Sequence, residues 1–128
     1  MSSILVVEDE ANVRKLVTVN LIRRGYMVYE AKDVQQALGR LQTQPFDLIV
    51  LDIKLPVLTG WDLLAKIAAD PAFAFSGPVL VMTASIMDAQ VDLDRYAMVV
   101  EVLVKPFSAA KLVAAIEHAL HMTLTHRT

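Results

Sequence analysis

Three carboxylates, one hydroxyl and one ammonium group each follow a short apolar run in this chain. Glu8 and Asp9 follow Ile4–Val7, Asp52 follows Leu48–Leu51, Thr83 follows Val79–Met82, and Lys105 follows Val102–Val104. If the runs are parallel strands, their C-terminal ends share one edge of a sheet, which is where open parallel sheets hold their ligands. The scattered residues then form one site. Its carboxylates suit a hard cation such as magnesium, which takes carboxylate, water and phosphate oxygens and offsets repulsion among the acids. Asp52 would stand at the mouth of the sheet as a nucleophile toward phosphorus. The Lys105 ammonium would meet anionic oxygen, and the Thr83 hydroxyl would donate to a phosphoryl oxygen. Each residue alone has an ordinary use as well: Asp9 as a helix cap, Asp52 or Thr83 in a turn, Glu8 and Lys105 in solvent. Only the set favours a cation site.

The elements that would position these residues alternate regularly. After the first strand, Val13, Leu16, Val17 and Leu21 recur at helical spacing, and Arg23, Arg24 and Gly25 end the helix. Met27–Tyr29 forms a second strand, Val34–Leu41 a helix, and Leu48–Leu51 a third strand buried on both faces. Pro56, Thr59 and Gly60 mark an irregular connection before a helix carrying Leu63, Leu64 and Ile67, which ends near Pro71. Val79–Met82 and Val99–Val104 are the last two strands. Between them, Ile86–Tyr96 is expected to be helical despite a weak apolar stripe crowded by Asp88, Asp92 and Asp94. Ser108 caps a final helix with Leu112, Ile116 and Leu120 on one face, and the pattern is lost from His121 to Thr128, where fraying is expected. Strand and helix thus repeat five times, which predicts an α/β fold with right-handed crossovers and helices on both faces of a parallel sheet.

Bulk properties narrow the function. The 128 residues suit one domain, and a hydrophobic content of 55% argues for a filled interior. A formal charge of -2, from 12 basic and 14 acidic residues without a long basic block, argues against direct nucleic-acid binding. The absence of cysteine removes thiolate chemistry. No apolar stretch approaches the length of a membrane span, and no signal peptide is evident, so a cytoplasmic location is the expectation.

The ordered motifs resemble those of response-regulator receiver domains in two-component phosphorelay signalling, over nearly the full length. Ile4 to Glu10 resembles the acidic first-strand motif, Leu51 to Gly60 the phosphoacceptor strand and loop with matching Pro56 and Gly60, and Thr83-Ala84 and Lys105-Pro106-Phe107 the two later motifs. The resemblance implies a single receiver domain over residues 1–128, a flavodoxin-like, doubly wound sheet in the order 2-1-3-4-5, and five helices. It implies Asp52 as phosphoacceptor, and Mg2+, with Mn2+ as a substitute, held by Glu8, Asp9, Asp52 and the Lys54 backbone carbonyl. Thr83, the Ala84 amide and Lys105 would hold the phosphoryl group, and the Lys105-Pro106 bond would be cis. The expected activity is transfer from phosphohistidine, followed by autodephosphorylation, which is not that of a conventional enzyme. The implied partners are a sensor histidine kinase or histidine phosphotransfer protein, an output protein or domain, and a phosphorylation-dependent homodimer.

Two departures bear on output. The aromatic residue usual three before the lysine is replaced by Val102, and Met98-Val99 replaces a small Gly-Ala pair. Val99, Val100 and Val102 are either packing residues or part of an enlarged apolar contact patch. Trp61 and Tyr96 are read first as anchors of local structure. With no output module expected in the chain, it reads as a stand-alone regulator or a receiver cut from a longer protein. The competing readings are an interaction module indifferent to phosphate and, ranked lower, a phosphohydrolase. The latter calls for an aspartate where Lys54 stands. The turn Glu8-Asp9-Glu10-Ala11 lacks the glycines of a dinucleotide-binding loop.

Overall fold

The computed structural model describes residues 2–87 and 95–127, with side chains described as far as Met122. Five strands form one parallel sheet: β1 (Ser3–Val7), β2 (Met27–Ala31), β3 (Leu48–Asp52), β4 (Val79–Thr83) and β5 (Val99–Val104). Their order is β2-β1-β3-β4-β5, as expected. Chain direction across the sheet therefore reverses between β1 and β3, which is the topological switch point of a doubly wound sheet.

Four α-helices are present among the described residues, not the expected five: α1 (Ala11–Arg23), α2 (Val34–Thr43), α3 (Gly60–Ala69) and α4 (Ala109–Arg127), with a 3-10 turn at Pro71–Phe73. Of the segment Ile86–Tyr96, expected to supply the fifth, residues 88–94 lie outside the described residues. That expectation had only a weak apolar stripe behind it, crowded by three aspartates. At the other end, α4 runs through Arg127 and so continues past His121, where its apolar pattern ends.

The strands lack alternation because both faces are covered. Leu5, Val7, Ile49, Leu51, Val79 and Val81 pack with Val34, Ala37, Leu63, Leu64 and Ile67 from α2 and α3. Their neighbours Ile4, Val6, Leu48, Val50, Leu80 and Met82 pack with Val17 and Leu21 of α1 and Leu112 and Ile116 of α4. Alternate residues of a strand point to opposite faces, so a strand apolar on both faces reads as a continuous run. No helix among the described residues is long and apolar enough to cross a membrane.

Helix ends follow local chemistry. Asp33 accepts from the Gln36 amide at 2.8 Å to start α2, and the Ser108 hydroxyl accepts from the Lys111 amide at 3.1 Å to start α4. Thr59 and Asp62 form a reciprocal capping box at α3, with the Thr59 amide donating to Asp62 Oδ2 at 2.7 Å.

The loop between β3 and α3 is held tightly beneath an exposed tip. The Gly60 amide donates to the Ile53 carbonyl at 2.8 Å, and a Cβ on Gly60 would lie 2.6 Å from the Asp52 carbonyl oxygen. No side chain fits there. At the tip, Val57 adopts φ +68° while the Leu58 amide donates to the Pro56 carbonyl at 2.8 Å, a γ-turn built on a β-branched residue. Pro56 starts that turn.

Two substitutions test this loop by urea denaturation. Val57→Gly should stabilise the fold by about 1 kcal/mol by relieving the left-handed backbone. Gly60→Ala should destabilise it by roughly 1–3 kcal/mol through overpacking against backbone atoms. An unchanged midpoint in either variant would contradict the corresponding account.

Candidate phosphoacceptor and metal site

Strand register brings the chemistry-bearing residues to one edge. Val7 lies opposite Leu51, so Glu8 and Asp52 follow at the same level, and Thr83 lies opposite Val104, immediately before Lys105. Carboxylate oxygens from Glu8, Asp9 and Asp52 all lie within 4.8 Å of one another. Glu8, Asp52 and Thr83 are buried, whereas Asp9 is exposed. This donor set is chemically suited to a divalent cation, since three hard carboxylate ligands converge with one side open to solvent.

Lys105 joins the strand ends. Its Nζ lies 2.7 Å from Glu8 Oε1 and 2.8 Å from Asp52 Oδ2, tying the residues after β1 and β5 to the end of β3. The other Asp52 oxygen, Oδ1, accepts from the Lys54 amide at 3.0 Å. The Lys105 amide donates to the Thr83 carbonyl at 2.7 Å, and the Lys105-Pro106 peptide is cis, as the resemblance implied. Phe107, the last residue of that motif, packs against the core on the α1 and α4 side.

The Thr83 hydroxyl is turned into its own loop. It donates to the Ser85 carbonyl at 2.8 Å and accepts from the Ser85 amide at 3.2 Å. Thr83 therefore sits at the site's edge with its hydroxyl engaged elsewhere. Ala84 follows in an exposed bend.

Electrostatics reflect the crowding. Burial, together with the hydrogen bond and negative charge of Asp52, pushes the Glu8 carboxyl up to about 7 despite the lowering effect of Lys105. For Lys105, burial alone would lower the pKa, but the hydrogen bonds and charges of Asp52 and Glu8 outweigh it and raise the pKa above the ordinary value.

Sequence reasoning missed several contacts. Arg14 Nη1 donates to the Glu8 carbonyl at 2.8 Å. The signal for it was a cation in the first turns of a helix, where the macrodipole is unfavourable. Trp61 and Tyr96 stack on each other, with centroids 5.7 Å apart and planes 12° apart, a pairing that no local pattern reveals. Val102 is partly buried and packs, with Tyr96, Met98 and Val99, against the core on the α2 and α3 side, while Val100 faces the opposite core. An irregularity in pairing between Val79 and Leu80 accompanies this split, since Val79 pairs with Val99 but Leu80 with Glu101.

This edge of acids and lysine on a 2-1-3-4-5 sheet is matched by family comparison. Residues 4–117 match the response regulator receiver domain, and the chain belongs to that family. It has the CheY-like receiver fold of two-component phosphorelay systems, with an acidic cluster consistent with Mg-dependent phosphoacceptance. Among its relatives is the transcriptional regulatory protein PdtaR of Mycobacterium tuberculosis, 36% identical over 118 residues, which cover 91% of this chain and 56% of PdtaR. The chain spans about half the length of the curated relatives it matches. Among solved structures, the chemotaxis response regulator CheY4 of Vibrio cholerae superposes with a TM-score of 0.82 at 28% identity, covering 93% of this chain and 98% of CheY4. The receiver domain of sensor histidine kinase PA1611 from Pseudomonas aeruginosa superposes with a TM-score of 0.81 at 27% identity, covering 94% of this chain and 98% of that one. That structure has a magnesium ion coordinated in its active site cleft.

The raised Glu8 pKa makes metal-free stability depend on pH. Between the ordinary value of 4.5 and the folded value of about 7, the folded protein keeps a proton that the unfolded chain has released. The stability contribution is therefore fully present below about 4.5 and is lost as pH rises through about 7. Urea denaturation in chelator across this range should show the native chain losing stability with rising pH relative to Glu8→Gln. Parallel profiles for the two proteins would contradict the assignment.

Proposed function

We propose that residues 1–128 act as a single phosphoryl-accepting receiver domain in a cytoplasmic phosphorelay, with Asp52 as the acceptor. The observation that carries this reading is the Lys105 ammonium held between the Glu8 and Asp52 carboxylates. A cation donor thus already stands beside the nucleophile at the switch point of the sheet.

Glu8, Asp9 and Asp52, with the Lys54 carbonyl, would hold Mg2+, and Mn2+ would serve in its place. When bound, that ion supplies positive charge to the oxygens of the transferring group. An Asp52 carboxylate oxygen attacks the phosphorus of a phosphohistidine. The P–N bond breaks, its electron pair returns to the imidazole nitrogen, and an acyl phosphate forms. Lys105 moves its hydrogen bond from Asp52 to a phosphoryl oxygen, neutralising charge as it spreads over the equatorial oxygens. The Thr83 hydroxyl leaves Ser85 and donates to the phosphoryl group, and the Ala84 amide holds a second oxygen. Water later attacks phosphorus, the P–O bond to Asp52 breaks, and inorganic phosphate leaves.

The phosphoryl donor would be a sensor histidine kinase or a histidine phosphotransfer protein. Added charge and acceptor oxygens at Asp52 would bias the Thr83 loop and so alter contact with an output protein or domain, or with a second copy of the chain. Val102 favours a second reading, a module that binds its partner regardless of phosphate, because no aromatic ring stands at that position to follow Thr83.

Intact-mass measurement after incubation with acetyl phosphate and magnesium tests the acceptor. The native chain should gain one phosphoryl group and Asp52→Ala none; no gain by the native chain, or equal labelling of the variant, would overturn the assignment. Oligomeric mass and partner affinity that change on adding beryllofluoride support phosphate-dependent output. Values that do not change favour the second reading.

A further inference from the structure

Arg14 has no part in the chemistry above, yet it is built into the turn that carries two of the acids. It lies in the first turns of α1, where the helix dipole disfavours a cation. Its Nη1 donates to the Glu8 carbonyl oxygen at 2.8 Å, with a longer contact to the Asp9 carbonyl oxygen at 3.5 Å. On its other side, Nε lies 3.5 Å from Glu30 Oε1 at the end of β2. The second Glu30 oxygen accepts from the Thr18 hydroxyl at 2.6 Å.

A guanidinium is a planar fork whose donors keep fixed directions, so holding one edge aims the other. Arg14 Nε forms an ion pair with Glu30, which is itself held by Thr18, while Nη1 meets the backbone of Glu8 and Asp9. The Glu8 backbone is also fixed from β2, through its amide bond to the Ala31 carbonyl at 3.0 Å. Among the described residues, Arg14 supplies the side-chain bond to the Glu8 carbonyl.

We propose that Arg14 is a positioning residue for the cation site. It fixes the backbone from which the Glu8 and Asp9 carboxylates project, and Glu30 and Thr18 keep it aimed. The inference rests on the reading that Glu8, Asp9 and Asp52 hold a divalent cation. Arg14 acts through geometry, because its charge works in the opposite direction: a fixed cation close to the site repels a second one. Removing the guanidinium would strengthen metal binding if charge alone mattered, and weakens it if position does. Partners that orient metal ligands without touching the metal are commonly worth about 10- to 100-fold in affinity.

Calorimetric titration of the chelator-treated full chain with Mn2+ alone, and with Mg2+ alone, decides the matter. Arg14→Met, which keeps an apolar stem, should weaken binding by about tenfold. Thr18→Val, which leaves every charge in place, should weaken it by a smaller factor. Thermal unfolding in chelator checks that each variant is folded. Native-like or tighter binding by a folded Arg14→Met overturns the proposal. If that variant does not fold, Thr18→Val decides alone, and native-like affinity in it is the overturning result. Failure of the native chain to bind either ion would instead sink the cation reading on which the proposal stands.

Discussion

Much of this structure depends on one electrostatic constraint, that three carboxylates converge where two parallel strands end. The acids would repel one another without a counter-charge, and the Lys105 ammonium supplies one, bonded at once to Glu8 and Asp52. Because Lys105 follows β5 while its partners lie after β1 and at the end of β3, the ion pairs form only when β4 is inserted in register between β3 and β5. Sheet order and site assembly are thus one condition. Burial, reinforced by the neighbouring Asp52 carboxylate, makes Glu8 hold a proton more tightly than an ordinary carboxyl does, while the bonds and charges of Asp52 and Glu8 make Lys105 hold its own more tightly despite burial. The pocket is a cluster of carboxylates bridged by one ammonium group.

Much of this was legible in the sequence because burial on both faces leaves a signature. Continuous runs such as Leu48–Leu51 mark central parallel strands, and residues directly after them lie at the ligand-binding edge whatever the helices do. Helix existence was less secure where no apolar face demanded it. Val17 and Leu21, or Leu112 and Ile116, identify helices through what they bury, whereas Ile86–Tyr96 offers only a weak apolar stripe crowded by three aspartates. Side-chain direction was beyond sequence reasoning. Thr83 was placed correctly at the edge, but the turn of its hydroxyl toward Ser85 depends on loop backbone that its residue type does not specify. Likewise, the grip of Arg14 on the Glu8 carbonyl joins residues on two elements through side-chain reach rather than periodicity.

The path outward from the site has a different character. Val102, Val99 and Tyr96 pack against the core on the α2 and α3 side, and Tyr96 continues into a stack with Trp61, next to Gly60. The segment before β5 is therefore in contact with the start of α3, and α3 begins where the acceptor loop closes on Asp52. Apolar packing and ring stacking connect these regions. Such contacts are short-ranged and shape-dependent, so they respond to displacement of whole elements more than to rotation of one side chain.

The closure of Gly60 onto the Ile53 carbonyl divides the loop after β3 into two parts with different surroundings. Beneath it, the Gly60 amide donates to the Ile53 carbonyl, and a Cβ at position 60 would collide with the Asp52 carbonyl oxygen, so only glycine lets the loop close there. Above it, Lys54, Pro56 and Val57 face solvent. Substitution at those three positions can redraw the exposed outline of the loop while Asp52 stays where the sheet put it. A variable surface and a fixed carboxylate are thereby separable within nine residues of chain, from Asp52 to Gly60.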